Sequence, residues 1–253
     1  MKAMILAAGL GTRLRPLTDD RPKALVEVAG RTMLEIALRR LRSFGVREAI
    51  VNVHHYADMV VDYLNANGNF GMRIEISREE VLLDTGGGLK EASWFFLDSS
   101  ENWQEPFILH NVDVISTIDL SRMIRFHMEH EALATLAVQE RETSRYLLFN
   151  EDGLLCGRRA AKDEAADAEF GQPERPLPPQ KLQALAFSGI HVLSPHLFAK
   201  MREDGAFSII DAYLHLAALG EKIVAFSADE YAWRDLGRPE SVTQAARELE
   251  NQM

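Results

Sequence analysis

The chain has 253 residues, 47% hydrophobic and 26% charged, which is typical of a folded globular protein. Its formal net charge of −10 at pH 7 disfavours polyanionic partners such as nucleic acids and anionic membrane surfaces. The single cysteine, Cys156, excludes an intramolecular disulfide, and we find neither a signal-peptide pattern nor a long apolar span. We therefore expect a cytoplasmic protein that binds neither nucleic acid nor membrane.

The first half of the chain predicts alternating strands and helices. Short apolar runs indicate buried strands, whereas apolar residues three and four positions apart indicate helices. Asp119 suits a helix N-cap, and Gly45 suits a helix C-terminus. The alternation is typical of a parallel sheet with helices on both faces. Strands are predicted at residues 4–8, 49–53, 72–77 and 107–109, and helices at 32–44, 57–66, from the glycine run 86–88 to about 96, and 120–130.

The second half has a different pattern. Its predicted strands cover residues 133–138, 146–149, 154–156 and 185–192, with a hairpin turn at Asp152-Gly153. Residues 163–181 are acidic and then proline-rich, which predicts an exposed, flexible insertion or a solvated linker without a role. A closing helix is expected over residues 239–249. These features favour a smaller mixed or antiparallel lobe.

The strongest chemical signal is the run GLGTRLRPLT, residues 9–18, followed by Lys23. Glycines allow backbone N–H groups to approach phosphate oxygens, and Arg13 and Lys23 can neutralise phosphate charge. A dinucleotide-binding motif would need glycine in place of Leu14, and a Walker loop would need Gly-Lys-Ser/Thr. A plain turn does not explain Arg13, Arg15 and Lys23 in so acidic a chain. We therefore predict a locally cationic phosphate site.

This run resembles the signature of the sugar nucleotidyltransferases, Gly-x-Gly-Thr-Arg-x-Arg-Pro-Leu-Thr followed by Pro-Lys-Pro-Leu, with Ala24 in place of the last proline. Further motifs of that family follow in order to about residue 246. The resemblance implies an α/β fold with a Rossmann-like, mostly parallel sheet flanked by helices and a smaller mixed or antiparallel sugar-binding lobe. We expect a single domain, 1–253, with the nucleotide-binding part in 1–132 and the sugar-binding part in 133–253.

A second motif concerns the nucleotide. Residues 83–88 resemble the family's Gly-Thr-Ala-Gly or Thr-Gly-Gly-Gly loop, which packs against the base and ribose; an ordinary helix start would explain the same residues. The residues that the resemblance implies for nucleotide binding are Leu6, Ala7, Ala8, Gly9, Gly11, Thr12, Arg13, Lys23, Thr85, Gly86, Gly87 and Asn111.

Two further motifs carry carboxylates. Asn111-Val112-Asp113 follows a predicted strand, and residues 233–237 resemble the family's Trp-x-Asp-x-Gly. The resemblance implies that Asp113 and Asp235 bind Mg²⁺, which prefers oxygen ligands, although each could be an ordinary turn or surface aspartate. The catalytic residues would be Arg13, Lys23 and Asp113, with the two cations stabilising the departing pyrophosphate.

The family's motifs for the sugar site are less complete in this sequence. Residues 145–147 resemble the family's Arg-Tyr-Gly and residues 187–192 its Ala-Gly-Ile-Tyr-Val strand, which implies that Tyr146, Ser188 and Gly189 contact the sugar. Leu147 replaces a glycine, and the Glu-Lys-Pro motif that supplies a phosphate-binding lysine is absent. The nearest cations are Arg158, Arg159 and Lys162.

The resemblance implies transfer of a nucleotidyl group from a nucleoside triphosphate to a sugar 1-phosphate, with release of pyrophosphate. The small uridylyltransferases acting on N-acetylmuramate 1-phosphate are most similar, followed by guanylyltransferases acting on mannose or heptose phosphates. Two alternatives stay open: a cytidylyltransferase with a non-sugar acceptor such as phosphocholine, and a non-catalytic regulatory relative. A monomer and a homodimer are both compatible with the sequence.

Several other residues could suggest chemistry. His54, His55, His127 and His130 lack the further ligands of a zinc site, so we expect surface histidines. Trp94 and Phe95 follow the glycine run on a predicted helix, where we expect both to pack in the core.

Overall fold

The computed structural model describes residues 1–97, 105–161, 169–170 and 182–250. Of the predicted insertion at 163–181, only 169–170 falls within these ranges, and Lys162 also lies outside them. The strands are β1 Lys2–Leu6, β2 Glu27–Val28, β3 Arg31–Thr32, β4 Glu48–Val53, β5 Arg73–Arg78, β6 Phe107–Asn111, β7 Val114–Ser116, β8 Ala134–Gln139, β9 Arg145–Phe149, β10 Leu155–Ala160, β11 Glu169–Phe170, β12 Gln183–Leu193, β13 Ile223–Ser227 and β14 Trp233–Asp235. The helices are α1 Met33–Ser43, α2 Ala57–Ala66, α3 Asp84–Glu91, α4 Ser93–Leu97, α5 Leu120–Glu129, α6 Leu197–Lys200, α7 Ile209–Ala218 and α8 Pro239–Glu250.

A ten-stranded mixed sheet runs through the described residues in the order β11-β10-β9-β12-β6-β1-β4-β5, and β8 joins β12 to β13. Strand β1 is parallel to β4 and β6, and β4 is parallel to β5. Strand β12 is antiparallel to β6, β8 and β9, so the parallel part continues into an antiparallel part. The predicted fold class is confirmed.

Local signals fix the ends of two predicted helices. The Thr32 hydroxyl accepts a hydrogen bond from the Glu35 N–H (3.1 Å) at the start of α1, and Gly45 adopts a φ of 86° just after its end. The Asp119 carboxylate accepts from the Arg122 N–H (3.0 Å) and caps α5 as expected. Among the described residues, no helix combines the length and apolar character that a membrane crossing requires.

Among the element boundaries that differ from the sequence expectation, two bear on the loops that follow the parallel strands. Strand β1 covers Lys2–Leu6 rather than 4–8, because residues 2–6 pair with β4; Ala7 and Ala8 begin the following loop. The glycine run lies inside the first turns of α3, which begins at Asp84 and is separated from α4 by Ala92. The loop after β1 is therefore longer than predicted.

Two side-chain predictions were wrong. His127 is only 4% exposed, because it shares the buried face of α5 with Leu120 and Met123 at helical spacing. Trp94 is 51% exposed whereas Phe95 is buried, since successive helical residues project in different directions and Phe95 and Phe96, but not Trp94, lie on the side of α4 that faces the core.

Gly87 is required because α3 packs closely against the loop that precedes α7. A Cβ at this position would lie 2.3 Å from the backbone oxygen of Gly205, which cannot move aside as a side chain can. In an open helix Gly→Ala stabilises by about 1 kcal/mol. Here we expect Gly87→Ala to reduce the free energy of unfolding by about 1–3 kcal/mol. Urea unfolding measures the change, and a stabilised variant would contradict the packing.

Candidate active site

A cavity of about 500 Å³ opens at the carboxyl ends of β1, β4 and β6, where ligands bind in parallel α/β sheets. Its size suits a small-molecule site. Its lining consists of Leu6, Ala8, Gly9, Arg13, Lys23, Asn52, Glu79, Leu82, Asp84, Thr85, Asn111, Asp113 and Asp235.

Asp113 and Lys23 form an ion pair in this cavity. The Lys23 Nζ donates to Asp113 Oδ2 at 2.9 Å, and the two side chains are only 16% and 9% exposed. Asp113 follows β6, and its backbone oxygen accepts from the Leu236 N–H at 2.8 Å. Lys23 begins the short 3₁₀ turn Lys23–Leu25. Residues 90 positions apart thus meet at the end of the parallel sheet.

Asp235 reaches the same cavity from the far end of the chain. It lies on β14, which pairs antiparallel with β7 and places Asp235 opposite Val114, next to Asp113 in the chain. The Gly237 N–H donates to Asp235 Oδ1 at 2.6 Å. Both aspartates predicted to bind a metal therefore line one cavity.

Gly237 leaves room for two of these side chains. An added Cβ would lie 2.7 Å from Asp235 Oδ1 and 2.8 Å from Arg13 Nη2. We expect Gly237→Ala to displace both groups and to lower kcat by about 10- to 100-fold, the cost of a misplacement near 1 Å. Both contacts are side-chain ends, so the thermal midpoint should change little. An unchanged kcat would contradict this geometry.

The side chains that line the cavity carry more negative than positive charge. Four carboxylates, those of Glu79, Asp84, Asp113 and Asp235, outnumber the two cations Arg13 and Lys23. This differs from the locally cationic site that we predicted, because part of the acidic character of the chain is concentrated here. A polyphosphate would be repelled unless a cation entered with it.

The donor set fits Mg²⁺ rather than a metal held by protein alone. Among the described residues, no group of three or more His, Cys, Asp or Glu side chains is arranged to hold a metal. Mg²⁺ commonly binds one or two carboxylates and completes its coordination with water and substrate phosphates. Asp113 and Asp235 can supply those carboxylates.

The structure adds a hydrogen-bond network that sequence reasoning missed. Asn52 accepts from the Ala7 N–H (2.7 Å) and donates to Glu79 Oε1 (2.6 Å). Glu79 Oε2 accepts from the Leu83 N–H (2.9 Å), and Glu79 is only 5% exposed. This network joins the loops after β1 and β5. The sequence contained one signal for this network, namely the polar Asn52 within the apolar run 49–53.

Asp84 was also missed. It lies directly before Thr85 in the loop motif and adopts a left-handed φ of 58°, which is uncommon for a non-glycine residue. Its Oδ1 accepts from the Thr85 N–H at 2.6 Å.

Other predicted residues lie outside the lining formed by the described chain. Gly11, with φ of 65°, packs against Thr18, and Gly86 packs so closely on Phe207 that a Cβ would be 2.3 Å from its ring. Arg15, which supported the phosphate prediction, is exposed and pairs with Asp19. All of the predicted site roles stay predictions; the predicted residues that lie outside the lining are Ala7, Gly11, Thr12, Gly86, Gly87, Tyr146, Ser188 and Gly189.

Comparison with known proteins identifies the family. The sequence profile described as nucleotidyl transferase matches residues 2–252. The chain belongs to the nucleotidyl transferase family. It is 35% identical over 263 residues to the N-acetylmuramate alpha-1-phosphate uridylyltransferase of Caulobacter vibrioides, covering 98% of this chain and 96% of that protein.

More distant relatives agree with this assignment. The UTP–glucose-1-phosphate uridylyltransferase of Synechocystis sp. is 27% identical and is matched over 98% of this chain but 63% of its own length. The structure of HddC from Yersinia pseudotuberculosis in complex with GMP-PN has the same fold, with a TM-score of 0.72 and 23% identity over 98% of this chain and 99% of that one. The predicted reaction class, nucleotidyl transfer, is confirmed, and both uridylyltransferases are named for a sugar 1-phosphate acceptor.

Proposed function

We propose that the protein is a Mg²⁺-dependent uridylyltransferase that converts UTP and N-acetylmuramate 1-phosphate to the UDP-sugar and pyrophosphate. The observation that carries the proposal is the convergence of Arg13, Lys23, Asp113 and Asp235 on one cavity. The relative from Caulobacter vibrioides, whose name gives this substrate pair, supports the choice of nucleotide and sugar.

The cavity has two ends that suit a nucleotide. Glu79 follows β5, whereas Asp113 follows β6, and β1 and β4 separate these strands in the sheet. At about 4.8 Å per strand spacing, the two ends are roughly 14 Å apart. We place the base near Glu79 and the phosphates near Asp113 and Lys23.

The buried Glu79 carboxylate supports the choice of base. A carboxylate only accepts hydrogen bonds, and Asn52 and Leu83 each occupy one position on it. Uracil and guanine can donate a ring N–H to the carboxylate, whereas cytosine and adenine can donate only from their exocyclic amines. The Glu79 carboxylate therefore suits UTP and GTP, and the choice of UTP between them follows the relative from Caulobacter vibrioides.

The chemistry needs no covalent intermediate on the protein. An oxygen of the sugar phosphate attacks the α-phosphorus, and the bond between that phosphorus and the β-phosphate oxygen breaks as pyrophosphate leaves. Arg13 and Lys23 can stabilise the leaving charge. Mg²⁺ bound by Asp113 and Asp235 would neutralise phosphate charge and act as a Lewis acid. Alignment of the two substrates is the main contribution of the protein.

Pyrophosphate release tests the proposal. UTP, GTP, CTP and ATP are each combined with the 1-phosphates of N-acetylmuramate, glucose, mannose and heptose, and with phosphocholine, with and without Mg²⁺. We expect the highest kcat/KM for UTP with N-acetylmuramate 1-phosphate and no release without metal. Preference for another pair would overturn the substrate assignment, and release without any divalent metal would overturn the Mg²⁺ assignment.

A further inference from the structure

Arg141 lies beside the candidate active site and, within the part of the chain that the structure describes, forms no ion pair with a carboxylate. It follows β8, and its guanidinium carbon lies 3.7 Å from the ring centroid of Trp233. Its Nη2 donates to the Phe187 backbone oxygen at 2.7 Å, and its Nη1 donates to the Glu142 backbone oxygen at 3.5 Å. Its Nε is buried and has no hydrogen-bond partner among the described residues. The side chain is thus held in place, and Nη1 and Nη2 each keep one further N–H that can donate to a ligand.

The contacts of Arg141 place it close to Asp235. Trp233 lies two residues before Asp235 on β14, and its indole N–H donates to the Ser188 oxygen at 2.7 Å. Burial lowers the pKa of Arg141, while the Asp235 charge acts in the opposite direction. The guanidinium is therefore within electrostatic reach of a proposed metal ligand.

The strand that carries Phe187 is irregular at this point. The register of β12 with β8 shifts between Phe187 and His191, and such irregularities often occur beside active sites. Gly189, with φ of 72°, approaches the lining residue Asn111 so closely that a Cβ would be 2.9 Å from its Nδ2. The buried Ser188 hydroxyl has no partner within the described residues. The irregular segment thus contacts the lining residue Asn111 through Gly189, and its Ser188 backbone oxygen contacts Trp233, on which Arg141 packs.

Other cations are less suited to an incoming anion. Arg158, considered above as a substitute for the missing lysine, forms an ion pair with Asp211. Lys23 is paired with Asp113. A guanidinium fixed on an aromatic ring can present two parallel N–H donors to a phosphate.

We propose that the Arg141 guanidinium binds the phosphate group of the sugar 1-phosphate and orients it beside Asp235. The inference rests on the proposed function, since it requires a phosphorylated acceptor. It assigns this acceptor-side contact to a position that the sequence motifs did not indicate.

Arg141→Met tests the proposal because methionine can still pack on Trp233 but has no charge. Loss of a charge-assisted hydrogen-bond pair should raise KM for the sugar 1-phosphate by about 10- to 100-fold, with KM for the nucleotide within about twofold of wild type. Arg141→Lys should recover part of the acceptor KM, because it restores the charge. Arg125→Met, which removes an exposed arginine of α5, serves as the matched control and should leave both KM values unchanged.

A purely structural Arg141 would give a different pattern. Equal changes in both KM values, or no recovery with lysine, would overturn the proposal. If wild-type protein releases no pyrophosphate with any pair, the proposed function fails. Binding of inorganic phosphate in the presence of UTP then decides the role of Arg141: binding at least tenfold weaker in Arg141→Met supports it, and equal binding overturns it.

Discussion

Asp113→Asn should lower kcat by about 10²- to 10⁴-fold, which corresponds to several kcal/mol of lost transition-state stabilisation at a metal site. The substitution removes one negative charge from the cavity and leaves Lys23 without the carboxylate that it contacts at 2.9 Å. The Mg²⁺ concentration for half-maximal activity should rise at the same time. Initial rates over a Mg²⁺ titration measure both effects.

Two variants separate the metal role from the ion pair. Asp235→Asn removes a carboxylate that accepts from the Gly237 N–H and, among the described residues, pairs with no lysine. It should therefore show the same rise in the Mg²⁺ concentration for half-maximal activity with a smaller change in thermal midpoint. Asp62→Asn makes the same charge change at an exposed position of α2 and should have wild-type kinetics. Full activity and unchanged Mg²⁺ response in both site variants would show that the metal assignment is wrong.

The parts of the site that the sequence predicted share one property. Gly9, Arg13, Lys23, Asp113 and Asp235 belong to short motifs, and all of them line the cavity. Motifs of this kind are local: backbone turns and the end of a strand place their side chains with little dependence on the rest of the fold. Their mutual distances depend on strand pairing and became known only from the structure.

The missed residues depend on long-range contacts. Glu79 is held by Asn52, 27 residues away, and Arg141 by Trp233, on a strand near the other end of the chain. A glutamate or an arginine just after a strand is common in sequences. The local sequence around Glu79 and Arg141 therefore does not show that either side chain is partly or fully buried. The prediction of a surface position for His127 was wrong for a related reason. A histidine can lie on the apolar face of a helix when a buried hydroxyl, here that of Thr135, is its hydrogen-bond partner.

Buried histidines should make the protein less stable in mild acid. Burial lowers the pKa of His110 and His127 to about 4 and that of His191 to about 3. The unfolded chain takes up protons on these side chains below pH about 6.5, while the folded chain does so only near pH 4. Their contribution is therefore complete above pH about 6.5 and is lost progressively as the pH falls toward 4.

The size of this effect can be measured by urea unfolding at pH 7.5 and 5.5. Each buried histidine should reduce the free energy of unfolding by about 1.4 kcal/mol over that range, and the three together by about 4 kcal/mol. His127→Gln keeps a polar partner for Thr135 without a group that titrates here, and should reduce the difference by about 1.4 kcal/mol. His55→Gln, at an exposed position, should leave it unchanged. If His127→Gln retains the full wild-type pH dependence, protonation of His127 does not couple to folding, and the loss in acid must come from other groups.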